Sequence, residues 1–225
     1  MKMNAKKTKA MVFSKAVDTP RANLRLDNTE IEQVKKFKYL GATITDDGRC
    51  DEEIKIRAGI AKGKFSQLKK LLTSRQISLD LRKKMLNCYI FPIFMYGSEA
   101  WTISKAQEKK INALEMWCLR RMGRISWKEK KTNKEVCEIM KHKPVLLNKI
   151  KSIKLTYYGH TKRHNQICKT VLEGKIERKR ARGRQRALWT DNIREWTSLP
   201  LSESTRIATN RDAWRVIARR PLRQR

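Results

Sequence analysis

Short alternating runs fill the first fifty residues, and helical spacing governs most of the chain after them. Residues 9–14, "KAMVFS", read as a short strand behind a Lys-rich lead. Residues 22–26 and 30–34 alternate apolar and polar positions around Asp27-Asn28, a pair suited to a hairpin turn. In 35–50, "KKFKYLGATITDDGRC", Phe37, Tyr39, Gly41 and Thr43 share one register, and Leu40, Ala42 and Ile44 share the other. Taken as one strand over 37–44, this run wants cover on both faces. With the earlier runs it predicts a small antiparallel sheet of three or four strands, followed by a tight turn at Asp46-Asp47-Gly48.

Beyond that turn the period changes. Ile54, Ala58, Ala61, Phe65, Leu68 and Leu72 recur at spacings of three and four, which predicts a helix over 51–72. Asp51, Glu52 and Glu53 open it, where negative charge suits the helix dipole. Ser78 is placed to cap a helix through "LDLRKKMLNCYIFPIFMYG", with a kink at Pro92 and an end at Gly97. Ser104 with Gln107, and Thr132 with Glu135, are capping-box pairs that start helices near 104–122 and 132–141. Pro144 opens another, to about His164. Residues 174–186 lack apolar periodicity and read as an exposed basic linker, and 187–220 carry two amphipathic helices of a small tail module. Trp101, Trp117, Trp127, Trp189, Trp196 and Trp214 have apolar helical neighbours and are expected to anchor small cores. The fold class is α+β and mostly helical: a small antiparallel β-hairpin sheet, then a helical bundle, then a small helical C-terminal module.

Charge narrows the function. The 225 residues carry 54 Lys and Arg against 22 Asp and Glu, a net charge of +32, while 40% of positions are hydrophobic. The excess is spread along the chain: 25 basic against 13 acidic residues in 1–120, 13 against 3 in 121–168, and 16 against 6 in 169–225. A chain with a core and a distributed positive excess points to a polyanion, with nucleic acid the leading candidate. Cys50, Cys88, Cys118, Cys137 and Cys168 are odd in number and show no CxxC, and "MKMNAKKTKAM" has no apolar leader core. A reducing intracellular setting, nuclear or cytoplasmic, is expected. No apolar run reaches 18 residues, so no membrane span is expected.

Six stretches in order carry a resemblance: "NAKKTKAMVFS", "FKYLGATITDDGRCDEEIKIRAGIAKGKF", "LRKKMLNCYIFPIFMYGSEAWTI", "LEMWCLRRMGRISWKEKKTN", "YYGHTKRH", and "GKIERKRARGRQRALWTDNIREWT" with "NRDAWR". Together, over about residues 4–218, they resemble the C-terminal part of endonuclease–reverse transcriptases of non-LTR, LINE-type retrotransposons. The resemblance implies a hand-shaped polymerase whose catalytic carboxylates lie on the palm, ahead of this stretch. Asn4-x-x-Lys7-Thr8 resembles motif D, whose lysine, here Lys7, would assist the leaving pyrophosphate. Residues 37–41 look like the primer grip, and the helices from about 51 look like the thumb. The implied organisation is a palm remnant (1–48), a thumb-like helical region (49–125), a basic helical connector (126–173), a basic linker (174–186) and a helical module (187–225). A Lys-rich strand and hairpin at the very start imply that the rest of the palm and the fingers lie outside this chain.

Candidate contacts follow. At the grip, Lys35, Lys36 and Lys38 would meet phosphates, Phe37 and Tyr39 would pack or stack, and Gly41 would let backbone approach closely. Arg57, Lys62, Lys64, Lys69 and Lys70 lie opposite the apolar stripe of the first helix and would track a template–primer duplex of RNA and DNA without sequence choice. Lys175, Arg178, Lys179, Arg180, Arg182, Arg184 and Arg186 put seven basic residues among twelve, as a binding arm, a nuclear-localisation signal or a charged linker. Polymerisation needs two metal ions on carboxylates. Asp46-Asp47 fits a turn better, so no Mg²⁺ site or polymerisation is expected of this chain alone; Mg²⁺ belongs to the full-length polymerase. His160, His164 and Cys168 share a helical face, and Cys137 precedes His142, but no C-x2-C half-site accompanies them and no metal is assigned. Two further readings use the same residues: a non-enzymatic nucleic-acid-binding protein derived from a retroelement, and an unselected remnant.

Overall fold

The computed structural model describes residues 4, 7–13, 20–26, 28–164, 167–173 and 187–220. They divide into two units, Met1–Gly59 and Ile60–Arg225. The fold class read from the sequence holds: small two-stranded ladders come first and the rest is helical.

In the first unit, β1 (Lys9–Ala10) pairs in parallel with β4 (Glu32–Gln33), and β2 (Arg25–Leu26) pairs antiparallel with β3 (Thr29–Glu30). The expected hairpin forms between β2 and β3, with Asn28 at φ 63°. The single three- or four-stranded antiparallel sheet does not. Among the described residues the strands make three separate ladders, one of them parallel. Gln33 accounts for part of this: its side chain accepts from the Ala22 N–H (2.8 Å) and donates to the Pro20 carbonyl (3.0 Å). Backbone groups that a further strand would have paired are satisfied by one side chain instead.

The run 37–44 is also corrected. It is two strands, β5 (Lys36–Tyr39) and β6 (Ala42–Thr45), joined at Leu40 and Gly41 with φ 47° and 83°. Positive φ at both central residues is the two-residue turn that matches strand twist, and Gly41 supplies the second without steric strain. Reversing the chain there swaps parity. Phe37 pairs with Ile44 and Tyr39 with Ala42, so the two apparent apolar registers become one apolar face. Lys36, Lys38, Thr43 and Thr45 form the other.

The turn into α1 (Asp51–Gln67) is tied by Asp47, whose carboxylate accepts from the Thr45 hydroxyl (2.6 Å) and the Arg49 N–H (2.9 Å). The helix predicted through 72 breaks at Leu68 (φ −93°, ψ 10°) and resumes as α2 (Lys69–Leu72). In the second unit α3 (Leu79–Met85) starts on the Ser78 hydroxyl as expected. The kink at Pro92 takes the form of a π turn, Leu86–Ile90, in which the Phe91 N–H reaches back to Leu86. That shift accommodates the proline's missing N–H. α4 (Phe91–Met95) ends before Gly97, at φ 71°. α5 (Lys105–Met122) and α6 (Asn133–Ile139) begin on the two predicted capping boxes.

α7 (Leu146–Arg163) has no cap of its own at Val145. Glu115 of α5, fully buried, accepts from the Val145 N–H (2.9 Å) and the Leu146 N–H (3.1 Å) and pairs with His142 Nε2 (2.8 Å). A carboxylate thirty residues upstream thus meets the positive end of α7. After α8 (Ile167–Glu173) come three helices rather than the two predicted: α9 (Trp189–Thr197), α10 (Leu201–Thr209) and α11 (Arg211–Arg219). They share a core with α7, where Leu155 and Tyr158 join Ile193, Ala208, Trp214 and Ala218. Lys154, also fully buried, donates to the Trp101 carbonyl and Asn192 Oδ1 (2.7 Å each), its ammonium 4.6 Å from the Trp189 ring centroid.

Candidate functional site

A groove of about 820 Å³ opens in the second unit beside the C-terminal end of α5. Among the described residues, six cationic side chains and no carboxylate line it. Its floor is aromatic: Phe65 meets Trp117 edge-on at 5.2 Å, and the Arg121 guanidinium lies 4.6 Å over the Trp117 ring. Lys69 enters from α2. The chain leaving α5 makes the opposite wall. The Ile125 N–H bonds the Arg120 carbonyl (2.8 Å) and the Arg124 N–H bonds Arg121 (3.2 Å), a helix-ending motif that places Arg124 in the left-handed region at φ 56°. Glycine usually fills that position. Lys130, also in the wall, is left-handed at φ 48°.

The wall is braced from behind. Ser126 and Glu129 form a capping box around the 3₁₀ turn Trp127–Glu129, which the sequence reading missed although its spacing follows the same rule as the other two. The Glu129 carboxyl is held below its ordinary range by the Lys131 ammonium (2.6 Å) and the Ser126 N–H (2.7 Å). Arg120 donates to the Lys131 carbonyl and to Asn133 Oδ1, 2.9 Å each. On this fixed turn the Trp127 side chain is 82% exposed. The expectation that all six tryptophans anchor cores therefore fails for Trp127; Trp101 and Trp214 are buried, and Trp189 and Trp196 pack on the α7 core.

Among the residues predicted from sequence, Lys69 lines the groove and the Lys62 ammonium lies 5.4 Å from the Trp117 centroid. Lys64 reaches Gln67 at 3.3 Å, and Lys70 is exposed. Arg57 departs from the exposed cationic face expected of it. It is 8% exposed, donates to Glu53 (2.7 Å) and clamps the Gly41 carbonyl (2.6 Å). Glu53 in turn accepts from the Thr43 N–H (2.7 Å), so this buried pair fastens the hairpin to α1. On the hairpin, Phe37 (38% exposed) and Tyr39 (57%) lie on the face opposite Lys36 and Lys38. Lys36 pairs with Glu52 at 2.9 Å and lowers its carboxyl pKa; Lys35 and Lys38 are exposed. Gly41 serves the turn, and Lys7 is exposed in a turn held by Asn4. Lys175, Arg178, Lys179, Arg180, Arg182, Arg184 and Arg186 lie outside the described residues.

The chain is a distant homologue of a transposon-derived protein. That relative, from Caenorhabditis elegans and described as an uncharacterized transposon-derived protein, is 26% identical over 204 residues, covering 85% of this chain and 73% of the relative. No protein-family model matches, and no solved structure does.

A two-metal polymerase site does not fit the acidic pair of this transposon-related chain, because Asp47 is bound into its own turn. The His160 and His164 rings lie 4.3 Å apart, tilted at 43°, and Cys168 is exposed, but the described residues contain no cluster of three or more metal-binding side chains. No disulfide joins the five cysteines, and burial pushes the Cys118 thiol up to about 12. No helix among the described residues is long and apolar enough to cross a membrane.

Proposed function

We propose that this chain is the gripping, C-terminal part of a non-LTR retrotransposon reverse transcriptase, which holds template–primer nucleic acid and does not polymerise by itself. The observation that carries the reading is the α5 groove, with six cations, an aromatic floor and no carboxylate. The net charge of +32 and the transposon-derived relative support it. Phosphate binding by lysine and arginine releases condensed counterions, so affinity depends on charge and salt rather than on sequence. Arg121 suits this role, since its guanidinium can rest on a ring and still offer N–H donors to a phosphate. Asp47's engagement in the β6–α1 turn supports a holding role over a catalytic one.

The test is a primer-extension assay on an RNA template with Mg²⁺ and dNTPs, run beside a binding titration on the same duplex. Binding without extension is expected. Extension by the pure chain would overturn the assignment and make Asp46 and Asp47 the first residues to replace. Absence of binding at low salt would overturn the gripping role.

A further inference from the structure

Base recognition and phosphate recognition need different surfaces. Inside a duplex the base faces are stacked on one another, so an aromatic side chain beside it finds base edges, sugars and phosphates but no open base face. An unpaired base offers its face to an aromatic ring, and any of the four bases does so. Trp127 is such a ring: 82% exposed, on a backbone fixed by the Ser126–Glu129 capping box, and at the wall of a groove with four exposed cations. The groove, about 820 Å³, is in the range of sites that take a ligand of a few linked groups.

From this we infer that the α5 groove is a subsite for single-stranded nucleic acid, in which an unpaired base stacks on Trp127 while neighbouring phosphates meet Arg121, Arg124, Lys69 and Lys130. The inference rests on the gripping role proposed above and specifies which form of nucleic acid this part of the chain takes. Two of the cations, Arg124 and Lys130, hold left-handed backbone that glycine would adopt without strain. They flank Trp127 in sequence and line the same groove.

The experiment compares three probes on the full chain and on Trp127→Ala: an oligothymidine strand, a strand of equal charge made of abasic units, and a blunt duplex. Parallel runs with an RNA strand show whether ribose matters. The substitution is expected to weaken the oligothymidine by about 5- to 150-fold, the loss of one stacked base. It should leave the abasic strand and the duplex unchanged. Trp127 is exposed, so a thermal melt should show the variant folded as stably as the parent. Equal weakening of all three probes, or of none, overturns the single-strand subsite while leaving the gripping role intact. Failure of the parent chain to bind any probe overturns both.

Discussion

Gly159 and Trp214 belong to two of the recognisable stretches, "YYGHTKRH" and "NRDAWR", and they are packing partners. A Cβ at 159 would lie 2.1 Å from Trp214 Cδ1, and Trp214 Nε1 donates to the Leu155 carbonyl at 2.7 Å. Backbone approach this close leaves room for no side chain. Gly159→Ala is expected to destabilise the chain by about 1–3 kcal/mol through overpacking. Chemical denaturation checks this, and combining it with Trp214→Ala should cost less than the two losses added, since removing the ring also removes the clash the new methyl makes. Arg124 makes the opposite case. At φ 56° it strains the backbone, while its Nε donates to the Thr73 carbonyl at 3.1 Å, so in Arg124→Gly the relieved strain offsets the lost bond and stability should shift by less than ~1 kcal/mol, while nucleic-acid binding weakens. A glycine variant that loses stability and keeps affinity would mark Arg124 as merely structural.

Helix ends were the most legible elements. Ser78, Ser104 and Thr132 sit where a hydroxyl meets orphan N–H groups, and the spacing to Gln107 and Glu135 reports itself in the sequence. Thr132→Ala should lower stability by about 1 kcal/mol in a thermal melt. The Glu129 and Glu135 carboxyls have folded pKa values depressed by their cap partners, Lys131 foremost for Glu129 and Thr132 for Glu135. A depressed carboxyl stabilises the fold above its unfolded pKa, and the contribution disappears as pH falls through the folded value. Both caps should therefore persist at pH 5 and be lost only below the ordinary carboxylate range. Near-UV circular dichroism of the Trp127 environment follows this, and loss of the signal between pH 7 and 5 would contradict it. Other elements were hidden because their causes are distant in sequence. Period-2 alternation could not show that Leu40-Gly41 reverses the chain. Nothing near Val145 announces that Glu115 caps α7, and nothing near Lys154 announces Asn192 and Trp189.

Across the chain, charge was readable and its geometry was not. Composition pointed to a polyanion, but helical spacing assigned Arg57 to the outer face when that side chain fastens Glu53 and Gly41 inside the first unit. The same spacing assigned Trp127 to a core, because apolar neighbours in sequence do not reveal a 3₁₀ turn that holds a ring outward. What the fold adds to a net charge of +32 is a place where four exposed cations, Lys69, Arg121, Arg124 and Lys130, gather over an aromatic floor. The most direct test is a salt titration of affinity for an RNA template–DNA primer, with the parent chain beside a triple variant, Arg121→Ala, Arg124→Ala and Lys130→Ala. The gripping role predicts a linear fall of log affinity with log salt, and a slope shallower in the variant by roughly 0.7–0.9 for each phosphate contact removed. Identical slopes in both chains, or an affinity that does not change with salt, would contradict it.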